Sequence, residues 1–279
     1  MSLVSNLKWL AGHPVARRHP IRTWFRWLYW QIRQRFTKRA KIMNFVNGSR
    51  LAIYPREGLT GYWYVELPDF DELSFLSRHL TAGCVFYDVG ANAGAFAVFA
   101  ASHGCRVFAF EPVPHTFKRL EENAVLNRPS LSITAINEAV ASIPGVVRMT
   151  TDYGPGNHVV SDEDSVHAID VPCTTLDDFS AKYPAPHFIK LDVEGHELAV
   201  LKGAGKTLAD PELTGLLVET FRPSNWSLPN HQELERILGS HGFVPCHPTS
   251  SGPKEMIQVD EGGNNTFYLR LRHFLPTLS

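Results

Sequence analysis

From residue 84 onward the chain alternates short apolar runs with longer stretches whose apolar residues recur every three to four positions. The runs 84–89, 105–110, 131–137, 187–191 and 215–219 have strand length and end in turn-forming or acidic residues, which predicts β-strands. Between them, 93–102, 114–127, 175–183 and 196–208 carry helical spacing, and 231–241 predicts one further helix. Two closing runs, 243–246 and 265–271, have no helix between them and predict a hairpin. Strand-helix alternation of this kind implies an α/β fold with a mostly parallel sheet, helices on both faces and an antiparallel edge. Only residues 141–172, with Gly145, Gly154, Gly156 and several acids, break the rhythm, and they predict short strands and a substrate-side loop.

The first 80 residues follow a different pattern. Residues 21–41 have helical apolar spacing, and Trp9, Trp24, Trp27 and Trp30 interleave with Arg17, Arg18, Arg22, Arg26, Arg33, Arg35, Lys38 and Arg39. A basic aromatic helix of this type can pack its rings on the rest of the molecule, rest through residues 8–41 on an anionic membrane face, or hold a partner or a second copy. Nucleic acid is not an expected partner. Segments 50–55 and 62–67 alternate as a β-ribbon would, and 69–80 predicts a helix. The division expected is therefore a basic, Trp-rich helical extension with a short ribbon over 1–80 and a ligand-binding α/β domain over 81–279.

A length of 279 residues, 44% hydrophobic and 20% charged, suits one large globular domain plus that extension. The net charge of −1 conceals an asymmetry, because residues 1–50 hold eleven Lys or Arg and no acid. Cys84, Cys105, Cys173 and Cys246 are far apart and form no Cys-x-x-Cys pair, which argues against a zinc site or a disulfide framework and for reduced, buried thiols. With no apolar run of membrane-spanning length and no signal peptide, the expected location is cytoplasmic, at the inner face of the membrane if the basic helix docks there.

The chemistry centres on residues 86–94, FYDVGANAG. A strand ends in Asp88, turns through Gly90, Asn92 and Gly94, and passes into an alanine-rich helix, which exposes backbone N–H groups to a ligand. Glu111, 21 residues beyond Gly90, closes the next strand and is positioned to accept both hydroxyls of a ribose. The loop has two glycines where dinucleotide binders have three, which argues against a nicotinamide cofactor. A second constellation, Asp192-Val-Glu194-Gly-His196-Glu197, leaves the strand 187–191 at the same edge of the sheet. Acids also favour the first turn of a helix, so Glu197 has a structural reading as well.

Taken in order, the 86–94 turn, Phe110-Glu111-Pro112, Asn123 with Asn127, Leu176-Asp177-Asp178, the 189–197 segment, Leu201-Lys202-Gly203-Ala204 and Leu217-Val218-Glu219 resemble the motif set of the FkbM family of S-adenosyl-methionine-dependent methyltransferases. The resemblance covers about 84–219. It implies a class I methyltransferase fold, Rossmann-like with a seven-stranded, mostly parallel sheet, and methyl transfer to a hydroxyl of a sugar, glycan or related natural product. By position, Asp88, Gly90, Asn92 and Gly94 would hold the methionine end of the cofactor, Glu111 its ribose and Glu138 its adenine amino group.

Deprotonation of an alcohol acceptor calls for a base or a metal. Asp192, Glu194 and His196 are the candidate catalytic residues, with Asp192 also bordering the cofactor. Mg²⁺ on Asp192, Glu194 and Glu219 is the alternative. His158 and His167 are loop histidines without a specific signal, while Arg222 and Trp226 in 221–229 are candidate acceptor contacts. Two other functions compete with this reading: a non-catalytic scaffold of the same fold, and a nicotinamide-dependent oxidoreductase.

Overall fold

The computed structural model describes residues 3–151, 156–160, 167–220, 228–249, 252–255 and 265–274. Three helices open the chain, α1 (Leu3–Gly12), α2 (Pro14–Arg18) and α3 (Pro20–Phe36), the last two beginning with proline in the first turn, where its missing N–H costs nothing. A two-stranded ribbon, β1 (Lys41–Asn44) and β2 (Arg50–Ile53), precedes α4 (Thr60–Val65) and α5 (Phe70–His79). The alternating part follows as β3 (Val85–Val89), α6 (Ala95–Ser102), β4 (Arg106–Phe110), α7 (Pro114–Leu126) and β5 (Ile133–Ile136). A small sheet, β6 (Ala139–Val140), β7 (Gly145–Thr150) and β8 (Ala168–Thr174), interrupts it. Alternation resumes with α8 (Leu176–Ser180), β9 (Phe188–Leu191), α9 (Glu197–Lys202), α10 (Gly205–Ala209), β10 (Gly215–Glu219) and α11 (Leu228–Ser240). The described chain closes on β11 (Val244–Thr249), β12 (Gly252–Glu255) and β13 (Asn265–Leu269).

The main sheet runs β12-β11-β13-β10-β9-β3-β4-β5. Strands β5, β4, β3, β9 and β10 are mutually parallel, whereas β13 is antiparallel to both β10 and β11. This is the expected seven-stranded sheet and antiparallel edge, with β12 added outside β11. Side-chain alternation sends Phe86, Val107, Ala109, Phe188, Leu217 and Phe267 to one face and Val85, Tyr87, Phe108, Phe110, Ile189 and Leu216 to the other. Because both faces are covered, β3 is buried at every position, as parallel strands require.

Four expectations change. Residues 62–67 lie in and just after α4 and do not pair with β2, whose partner is β1. Aromatic, alternating Tyr62-Trp-Tyr-Val65 imitates a strand, but burial of Tyr62, Tyr64 and Val65 against the body overrides that propensity. The helix expected to continue to Lys41 stops at Phe36. The helix expected over 196–208 is split into α9 and α10 at Gly203, where a Cβ would come within 2.5 Å of the Ala141 carbonyl. Finally, Cys84 and Cys105 are disulfide-bonded, their Cα atoms 4.6 Å apart, so the expectation of reduced thiols holds only for Cys173 and Cys246. Parallel register explains it: Val85 pairs with Arg106, which puts the preceding cysteines side by side at the strand entrances. No described helix is long and apolar enough to cross a membrane.

The residues before 81 share one hydrophobic cluster with the sheet, in which Leu10, Trp30, Leu51 and Phe75 join Phe86, Phe99 and Phe267. Two buried amides, Asn123 on α7 and Asn127 at its C-cap, fasten them. Asn123 accepts from Ala52 N–H (2.7 Å) and donates to the Ala93 carbonyl (2.8 Å), while Asn127 exchanges hydrogen bonds with both backbone groups of Arg50. Asn123 thus ties the ribbon to the glycine turn. Asn123→Ala leaves the buried Ala93 carbonyl and the half-buried Ala52 N–H without this partner and is expected to cost about 1–3 kcal/mol in urea unfolding. An unchanged unfolding midpoint would remove the amide from this role.

Candidate active site

The sheet order reverses at β3, whose neighbours are β4 on one side and β9 on the other, so their carboxyl ends splay into a crevice. A cleft of about 240 Å³ opens there. Gly90, Asn92, Glu111, Glu138, Asp192, Glu194 and His196 all line it, so the two constellations separated in sequence share one cavity. Asp88 is fully buried behind the wall, and Gly94 faces α7, where a Cβ would stand 2.6 Å from a Leu120 methyl.

The glycine turn is shaped by packing between strand tips. A Cβ on Gly90 would overlap the Asp192 carbonyl oxygen at 1.8 Å, and its φ of +77° disfavours any side chain besides. Asn92, also left-handed at φ +50°, donates its N–H to Glu111 Oε2 at 3.0 Å. Val113 N–H donates to the other oxygen, Oε1, at 2.9 Å. Each Glu111 oxygen therefore has one backbone donor and retains acceptor capacity. Burial pushes its pKa up to about 7, against the opposing pull of those two N–H groups.

At the next strand tip, Lys190 sits directly across from Asp88 in register. Its Nζ lies 3.7 Å from Asp88 Oδ1, donates to Asp192 Oδ2 at 3.1 Å, and reaches the Gly90 carbonyl at 3.4 Å. Burial works against the ammonium, yet Asp192 and Asp88 outweigh it and hold its pKa above the ordinary lysine value. Burial raises Asp88 to about 6, with Lys190 opposing. Among the described residues neither Asp88 oxygen has a partner at hydrogen-bonding distance, and the Lys190 ammonium is the larger of the influences that offset its burial, ahead of the Ala97 N–H.

The turn beyond β9 is held from inside. Glu197 is fully buried, and its Oε1 accepts from the N–H groups of Val193 (3.1 Å) and Gly195 (3.2 Å). That clamp supports Glu194 at φ +57°, a conformation unusual for a residue with a side chain. His196 stands at the N-cap of α9, outside the helix body, and borders the cleft. Asp192, Glu194 and Glu219 bring carboxylate oxygens within 4.8 Å of one another, which brings together the acids that the metal alternative requires.

Several lining residues carry no local sequence signal. Tyr62 and Asp69 come from the N-terminal part, where Tyr62 Oη donates to Asp69 Oδ2 at 2.8 Å and burial raises the Asp69 pKa. Asn157, Met149 and Val159 arrive from the region of the small sheet, and Asn265 from β13. His158 Nδ1 lies 3.0 Å from the Gly156 carbonyl, and His167 is exposed. Arg222 and Trp226 lie outside the described residues. Among the described residues the lining carries the acids Asp69, Glu111, Glu138, Asp192 and Glu194 against one lysine, a field suited to a cationic ligand.

The chain is similar in sequence to several methyltransferases. Hexuronic acid methyltransferase AglP of Haloferax volcanii is 36% identical over 140 residues, 50% of this chain and 57% of that protein. The 31-O-demethyl-FK506 methyltransferase FkbM of Streptomyces tacrolimicus is 39% identical over 109 residues, 37% of this chain and 40% of its own length. These alignments span less than two thirds of either relative, whereas methyltransferase sdnD of Sordaria araneosa is covered to 88% at 25% identity. The crystal structure of methyltransferase FkbM from Methylobacillus flagellatus superposes with a TM-score of 0.43 at 16% identity, covering 75% of this chain and 54% of that one. The methyltransferase FkbM domain matches residues 88–245, more than half of the sequence and the whole stretch from Asp88 through both acidic strand tips, so the chain belongs to the FkbM methyltransferase family.

Proposed function

We propose that the chain is an S-adenosyl-methionine-dependent O-methyltransferase acting on a hydroxyl of a sugar, a glycan or a related natural product. The observation that carries this reading is the meeting, in one acidic cleft, of Glu111 and the glycine turn with Asp192, Glu194 and His196. Two relatives' names support the acceptor class: one specifies a hexuronic acid, the other a 31-O-demethyl substrate.

The cleft fits the methyl donor on its own chemistry. Five lining carboxylates complement a sulfonium and an amino-acid ammonium, and Glu111 keeps free lone pairs for a ribose diol. Glu138 would accept from the adenine amino group, while Gly90 and Asn92 border the methionine end. When bound, the cofactor supplies an electrophilic methyl group on a good leaving group. The protein's part is to hold the acceptor oxygen in line and to remove its proton as the new bond forms. Asp192, Glu194 and His196 share that edge of the cleft and supply the base. Lys190 donates to Asp192 Oδ2 and fixes the direction of that carboxylate, so it positions the base without touching the acceptor.

A divalent cation on Asp192, Glu194 and Glu219 is the second reading, motivated by their 4.8 Å grouping. Lys190 already neutralises Asp192, which favours the side-chain base. Transfer of labelled methyl to hexuronic-acid saccharides should therefore survive EDTA, and a loss reversed by Mg²⁺ would favour the cation.

With the same assay, Asp192→Asn and His196→Ala are expected to lower turnover by about 10²–10⁴-fold while S-adenosyl-homocysteine affinity changes little. Wild-type turnover in both would remove this cluster from the chemistry. Stabilisation in thermal-shift experiments is expected with S-adenosyl-homocysteine and not with NAD or NADP. The reverse would select an oxidoreductase, and no response to any of them a scaffold.

Glu111 also sets a pH dependence. Ribose hydroxyls donate to the ionised carboxylate, so S-adenosyl-homocysteine affinity should rise with pH through about 7 and then level off. In the absence of ligand the sign is opposite, because a carboxylate whose folded pKa is raised costs stability as pH climbs from its unfolded value towards about 7. Titration calorimetry on wild type and Glu111→Gln checks this: the variant should lose the rise, and an identical profile in both would refute the ribose assignment.

A further inference from the structure

Helix α3 is apolar on two opposite faces. Towards the body it presents Thr23, Trp27 and Trp30. Trp30 is fully buried with its ring 5.6 Å from that of Trp63, whose Nε1 donates to the Arg26 carbonyl at 3.1 Å. Arg22 and Arg26 both bridge to Glu66, and Gln31 donates to Tyr64 Oη at 3.0 Å, so the helix is pinned along its length. The outer face carries Ile21, Phe25, Leu28, Ile32 and Phe36, spaced every three or four residues and therefore in one stripe. They are 87%, 69%, 53%, 51% and 83% exposed. A surface helix has no reason to turn five large apolar side chains to water unless something covers them.

We propose that this stripe docks the protein on a bilayer bearing anionic lipid headgroups, with α3 lying in the plane of the interface. Charge identifies the occupant. Residues 1–50 carry eleven basic residues and no acid, and Arg17, Arg18, Arg35, Lys38 and Arg39 are exposed at the two ends of the stripe. Two copies paired through the same face would bring these like charges together, whereas anionic headgroups neutralise them. Trp24 and Tyr29, 39% and 37% exposed at the stripe's margins, have the amphipathic rings that settle at headgroup level. Glu66 holds Arg22 and Arg26 on the body side, so the apolar stripe is presented already formed and no folding accompanies docking. The inference stands independently of the methyl-transfer reading.

Vesicle co-sedimentation of the full chain tests it. Binding is expected to vesicles containing phosphatidylglycerol and to be much weaker with phosphatidylcholine alone or at high salt. Phe25→Ser with Ile32→Ser, two exposed positions whose change should leave the melting temperature unaltered, is expected to abolish sedimentation. Lys38→Gln with Arg39→Gln is expected to weaken it by about fivefold for each charge removed. Wild-type protein remaining in the supernatant with anionic vesicles would overturn the proposal, as would undiminished binding of the Ser variant. A dimer by light scattering that this variant dissociates would make a second copy the occupant and overturn it equally.

Discussion

The site depends on one buried ammonium. Lys190 is level with Asp88 across β3 and β9, and its Nζ bridges Asp88, Asp192 and the Gly90 carbonyl. Without it Asp88 would be an uncompensated charge at the centre of the sheet, a situation that costs roughly 3–5 kcal/mol when a buried partner is removed. Once it is present, the tips of β3 and β9 are bound to each other and the cleft edge is fixed. The Asp192 carbonyl can then pack so closely on Gly90 that a methyl group does not fit between them. Acidic groups are retained in the cleft at a density that would otherwise be self-repelling, which gives the cleft edge a negative field.

Around that centre the turns are braced by residues whose chemistry looks functional and whose work is structural. Glu197 satisfies the N–H groups of Val193 and Gly195 and supports the left-handed Glu194. Asp177 binds the N–H groups of Lys206 and Thr207, docking α10 on α8. Asn123 and Asn127 attach the β1–β2 ribbon to α7 and the glycine turn. This bracing carries the N-terminal part into the same core as the sheet, and through Tyr62 and Asp69 into the cleft wall.

Much of this was legible in the chain because parallel strands end where their ligands bind. Glu111, Asp192, Glu194 and His196 each follow an apolar run, and topology alone brings such residues to one edge. Tyr62, Asp69, Met149 and Asn265 were not legible, since each reaches the cleft through long-range packing that leaves no local pattern. The same holds for Cys84 and Cys105, where a separation of 21 residues carries no signal and only the Val85–Arg106 register aligns them. At residues 62–65 a strand-like aromatic alternation lost to burial of a short helix. The two-sided character of α3 was half visible: spacing revealed an amphipathic helix, but not that its apolar residues divide between the body and solvent.

A structure of the protein with S-adenosyl-homocysteine tests the central claim most directly. The account predicts both ribose hydroxyls at hydrogen-bonding distance from Glu111, the adenine edge towards Glu138, and the sulfur facing Asp192, Glu194 and His196. An adenosyl group bound elsewhere, or a sulfur directed away from that acidic edge, would contradict it.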